Sequence, residues 1–107
     1  MKSIWPHALA VIAAANKEGS FVTFPGFEIL SSRDGDRTIL YRDDGGELFY
    51  ADSITALEEK AQRLRARGRE LIVFPHHIAY KRGRRGLNWD VFNPQLAPVV
   101  EILNCCF

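Results

Sequence analysis

Hydrophobic residues recur along this chain with two different periods. Ile4, Ala8, Val11, Ile12 and Ala15 follow one another at three- and four-residue spacings, which predicts a first helix. Ser3 can cap it, Pro6 is tolerated in its first turn, and Gly19 is placed to stop it. The stretch is apolar enough to predict a substantially buried helix.

Strand-like patterns follow. Phe21–Phe24 reads as a short strand, with Pro25-Gly26 as a tight turn after it. Residues 27–32 and 37–42 flank Asp34-Gly35, a pair suited to a type I′ hairpin, which would set Leu30 opposite Ile39 and Ile29 opposite Leu40. A second hairpin at Asp44-Gly45 would set Arg42 opposite Glu47, Tyr41 opposite Leu48 and Leu40 opposite Phe49. Alternation then places Phe27, Ile29, Leu40, Phe49 and Ala51 on one face of the meander. Leu30, Ile39, Tyr41, Leu48 and Tyr50 fall on the other. Neither face is polar, so the C-terminal segment, a partner or a second copy of the chain is expected to cover the second one.

Ser53 and Thr55 open a second helix, and Thr55 with Glu58 has capping-box spacing. Its apolar stripe is Ile54, Leu57, Ala61 and Leu64, and Gly68 ends it. The unbroken run Leu71–Phe74 predicts a central or well-covered strand, and Ile78–Tyr80 another, separated from it by Pro75. Leu87, Trp89 and Val91 alternate as a strand would. Val99, Ile102 and Leu103 predict a short closing helix over 98–106, against which Pro94 and Pro98 weigh. The fold expected is α+β: a small antiparallel meander, extended by Leu71–Phe74, with two helices packed on one face. A chain of 107 residues with no break in composition is read as one domain, 1–107, able to bury a core without disulfides or metals.

No apolar run reaches the roughly 18–20 residues that span a bilayer. Ala8–Ala15 followed by Asn16 loosely imitates a signal sequence, but Pro6 and His7 interrupt the apolar stretch and Lys2 is its only leading charge. Cys105 and Cys106 are adjacent, too close for ordinary disulfide geometry, and fit a reducing, cytoplasmic setting. Packing at the C-terminus explains them without metal or redox chemistry.

Charge changes the picture most. The formal charge of +1 hides a separation: residues 1–59 carry five Lys/Arg against ten Asp/Glu, whereas 60–85 carry nine against Glu70 alone. The cations form two blocks, one at the end of the second helix (Arg63 and Arg67 among them) and one in the turn Lys81, Arg82, Arg84, Arg85. If the blocks meet, they make a patch for phosphate or an acidic protein surface; if they do not, helix-dipole and ion-pair effects account for the first block. Tyr80, Trp89 and Phe92 flank the second block and could stack on bases, although aromatic residues at alternate positions are more often core.

Catalytic signals are weak. His76 and His77 are adjacent, and alternation along a strand would point their rings to opposite faces, so no metal is assigned to them. Asp34, Asp36, Asp43 and Asp44 sit where turns favour Asp. No phosphate-binding, dinucleotide-binding or nucleophile-elbow motif is present. The expected function is therefore a small non-enzymatic binding or regulatory protein, of the inhibitor or adaptor type carried on mobile elements. It would dock on a larger protein through the basic residues Arg63, Arg67, Lys81, Arg82, Arg84 and Arg85 and a tyrosine-bearing face. Tyr41, Tyr50, Tyr80 and Trp89 are its interface or stacking candidates. The second reading is a nucleic-acid-binding module built on 60–85, and the third an enzyme using His76 or His77. No cofactor is expected.

Overall fold

The computed structural model describes residues 4–102. Three antiparallel strands lie in chain order: β1 (Gly26–Ile29), β2 (Arg37–Tyr41) and β3 (Leu71–Pro75). Helix α1 (Trp5–Ala15) precedes them, and α2 (Ile54–Ala66) connects β2 to β3. This is the α+β architecture expected, with both helices on one face of the sheet.

The register differs from the expected one. Ile29 pairs with Arg37, Phe27 with Ile39 and Gly26 with Leu40, a shift of the hairpin by an odd number of residues. Because side chains alternate, an odd shift turns one strand over relative to its neighbour. Ile39 and Tyr41 therefore join Phe27 and Ile29 on the inner face, and Leu40 moves to the outer one. The cause lies in the connection. Asp34-Gly35 is not a two-residue turn but part of a loop over 30–36, in which the Asp36 carboxylate accepts from Ser31 N at 3.0 Å and Gly35 has φ 91°.

Helix α2 seals the inner face with Leu57, Ala61 and Leu64, all buried against Ile39, Tyr41 and Val73. Ser53 is its cap, accepting from Ala56 N at 3.1 Å, in place of the Thr55–Glu58 box; Glu58 instead accepts from Asn93 Nδ2. Helix α1 is not substantially buried. Val11 is 55% exposed, and no residue of this helix is fully covered. It is held through Trp5, whose ring meets Phe27 edge-on at 5.7 Å and whose Nε1 donates to Gly46 O, and through Thr23 Oγ1 donating to Ile12 O. The Ser3 cap lies outside the described residues.

Several expected strands do not form. Phe21–Phe24 contributes one isolated bridge, Lys17 with Phe21. The second hairpin is absent: residues 45–51 form no strand, and Gly46 and Glu47 lie against the Tyr41 side chain instead of pairing beside β2. Gly46 lies so close that a Cβ there would fall 2.2 Å from the ring, and the Tyr41 hydroxyl donates to Glu47 O at 2.7 Å. The vacated edge of β2 goes to β3, with Leu71 opposite Tyr41 and Val73 opposite Ile39. β3 is thus an edge strand, buried at Leu71 and Val73 but exposed at Ile72, and its final Pro75 offers no donor. Residues 78–80 form a turn, and Trp89–Val91 is a 3₁₀ turn capped by Asn88. Residues 98–102 are not helical, and the remainder of the expected closing helix lies outside the described residues.

Candidate functional site at the Arg37–Pro75 end of the sheet

The two basic blocks do not meet. Helix α2 ends beside Leu71, the turn over 81–86 lies beyond Pro75, and the length of β3 separates them. Most cations at the helix end are answered by acids. Lys60 pairs with Glu47, holding that carboxyl below the usual carboxylate range, and Arg67 approaches the same group at 3.9 Å. Arg69 bonds Asp43, Arg42 pairs with Glu70, and Arg65 donates to Leu71 O at 3.3 Å. Arg63 is exposed. This block is a solvated helix end that balances the acidic loop across from it. Beside it, Phe24, Leu40 and Ile72 line an open groove of about 680 Å³ on the outer sheet face, rimmed by Arg42, Arg65 and Glu70.

At the opposite end, a buried polar knot joins three segments. Arg37 is 3% exposed, and its Nη1 donates to the carbonyls of Asp34 and Gly35, both at 2.9 Å. Burial lowers its pKa from the ordinary value, and the charges of Asp34 and Asp36 oppose that shift. Asp36 is 1% exposed. Its carboxylate takes Ser31 N and Arg85 Nε, the latter at 3.1 Å, while its backbone exchanges bonds with Arg85 O and His76 N. Asp34 accepts from Ile54 N at 3.0 Å and so ties the start of α2 to the same knot. Gly86 is needed here: a Cβ would stand 1.9 Å from Tyr80 O, so no side chain fits where the basic turn closes.

Above this base the cations of the turn are exposed. Arg85 stays on Asp36, with its guanidinium 5.8 Å from the Tyr80 ring centre, and Arg82 pairs with Asp90 at 2.8 Å. Lys81 and Arg84 have no ion pair among the described residues. Trp89 stands 58% exposed, leaning on Phe92. Of the candidate tyrosines, Tyr41 belongs to the core and Tyr80 is partly exposed against His77. Tyr50 is 75% exposed and edges a shallow groove with Leu30 and Leu48. Glu28 forms part of that groove, and its charge reaches Arg85, so groove and basic turn adjoin.

The histidines depart most from expectation. His77 adopts φ 56°, the left-handed region, which breaks strand alternation and turns its ring back to the side of His76. The two ring centres are 3.7 Å apart. Glu28 lies on the outer face in register with Thr38 and Phe74, and its Oε1 stands 3.6 Å from His76 Nε2 and 3.5 Å from His77 Nε2. Glu101 Oε2 meets His76 Nδ1 at 2.8 Å. A carboxylate and two imidazoles thus converge, each offering an atom within 4.8 Å of the others. No local motif marks Glu28, because only the register of two strand pairings brings it to the histidines.

No helix among the described residues is long and apolar enough to cross a membrane. No protein-family model, curated protein or solved structure matches the chain, so function must be read from these geometries.

Proposed function

We propose that this protein is a small non-enzymatic binding module that docks an acidic protein surface against the Lys81–Arg85 turn and the adjoining groove at the β1 edge. The observation that carries this reading is the turn itself: four cations on an exposed loop whose base is locked to the buried Asp36 and closed at Gly86. A loop anchored in this way loses little conformational entropy when it binds. Lys81 and Arg84 would meet carboxylates, and Leu30, Leu48 and Tyr50 would supply the apolar contact that gives an interface its dry centre.

A protein partner is favoured over nucleic acid because the chain has a pI of about 7.8 and lacks the strongly basic field of most nucleic-acid-binding domains. Exposed Trp89 suits either class.

The test is titration of the protein against an acidic peptide containing Leu and Phe, and in parallel against duplex DNA and single-stranded RNA, at low and physiological salt. Peptide binding that weakens with salt and falls about tenfold or more in Lys81→Glu/Arg84→Glu supports the proposal. Tighter binding of either nucleic acid, lost in the same variant, replaces it with the nucleic-acid reading. Absence of binding to all three probes overturns both.

A further inference from the structure

Besides the basic turn, this end of the sheet holds a second set of groups with its own chemistry. We propose that Glu28, His76 and His77 form a binding site for a zinc-like divalent transition ion, with Glu101 orienting His76 and one coordination position left to solvent. Two imidazoles and a carboxylate are a donor set that suits zinc, which takes His nitrogen at about 2.0–2.1 Å and carboxylate oxygen at about 2.0–2.2 Å. Those lengths put neighbouring ligand atoms of a tetrahedral site about 3.3–3.5 Å apart. The Glu28–His76 and Glu28–His77 separations of 3.6 and 3.5 Å already have that spacing. They are also longer than the usual hydrogen bond of about 2.7–3.2 Å. The third edge needs only that the two ring nitrogens draw together from within 4.8 Å.

Two independent features favour metal over a simple acid–imidazole cluster. The His77 backbone is in a conformation that a side chain rarely adopts, and its effect is to aim a 4%-exposed ring at the site. Glu101 takes His76 Nδ1, leaving Nε2 directed at Glu28, as the carboxylate–histidine–metal arrangement requires. Arg85, which feels the Glu28 charge, is held by the Asp36 carboxylate. The Glu28 side chain is 35% exposed, so an ion has both an entry path and a face open to water. An open position of this kind lets a bound ion take a further ligand, from water or from the docked partner.

Metal-stripped full-length protein should be titrated with Zn²⁺ and Co²⁺ by calorimetry and visible absorption, with Mg²⁺ as the control. The expected result is one Zn²⁺ per chain, Co²⁺ d–d bands without thiolate charge transfer, and no Mg²⁺ binding. Glu28→Gln, on the half-open side, should weaken Zn²⁺ by at least about tenfold, and Glu101→Gln by about tenfold as an orienting partner. His77→Ala should lose the ion, with circular dichroism checking the fold. Cys105→Ser/Cys106→Ser should keep it. The proposal is overturned if wild-type protein binds no Zn²⁺. It is equally overturned if Glu28→Gln binds unchanged, or if binding disappears with the cysteines.

Discussion

Asp36→Ala should be the most damaging single change outside the hydrophobic core. The Asp36 carboxylate is fully enclosed and accepts two bonds, from Ser31 N at 3.0 Å and from Arg85 Nε at 3.1 Å. The Ser31 bond is charge-assisted, and its loss strands a part-buried amide, for about 1.5–3 kcal/mol. The Arg85 side chain is 44% exposed, so water screens that pair and its share is the smaller one. The loss is therefore about 2 kcal/mol, carried mainly by the Ser31 bond, which in a domain of this size lowers the melting temperature by about 8–16 °C. Denaturant melts of the wild type, both single variants and the Asp36→Ala/Arg85→Ala double variant would measure the total and isolate the pair. Arg85→Ala alone should cost less than Asp36→Ala, because its side of the pair is open to water. Amide exchange should rise in residues 81–86, because the turn loses its tie to the sheet. A loss below about 1 kcal/mol, with exchange in the turn unchanged, would refute the role of Asp36 as anchor.

Three further outcomes are expected. Burial, reinforced by the Glu47 charge, raises the Tyr41 phenol to about 12. Folding thus disfavours its phenolate, and the stability this confers is complete below about pH 10 and lost between about 10 and 12. The total is about 3 kcal/mol, and urea melts across that window should show the slope disappear in Tyr41→Phe. Gly86→Ala should cost about 1–3 kcal/mol and, if the proposed function holds, weaken acidic-peptide binding, since its Cβ collides with Tyr80 O; an unperturbed melting temperature would contradict that crowding. Leu64→Ala should cost about 2–5 kcal/mol, whereas Val11→Ser on the exposed side of α1 should stay within about 0.5, and equal losses in thermal melts would mean that α1 is buried after all.

Helix α2 was legible in the chain because its apolar stripe, Ser53 start and Gly68 stop are all local signals. The presence of β1, β2 and β3 was legible for the same reason, and so was the exposed basic turn. The depth of α1 was not, since apolar content alone does not say which other surface is available to cover it. Nor was the fate of residues 47–51, where the edge of β2 had two candidate neighbours and Leu71–Pro75 took it.

The sequence by itself determined the α+β class, the helices and the segregation of charge, because each follows from short-range periodicity and composition. Tertiary structure alone decided the register, and with it nearly everything about the site. An odd shift at the Ser31–Asp36 loop put Tyr41 in the core and set Glu28 in line with Thr38 and Phe74. The left-handed backbone at His77 then folded two histidines onto that carboxylate. Side-chain direction alternates with every residue, so one loop hydrogen bond and one φ angle determine which distant groups meet.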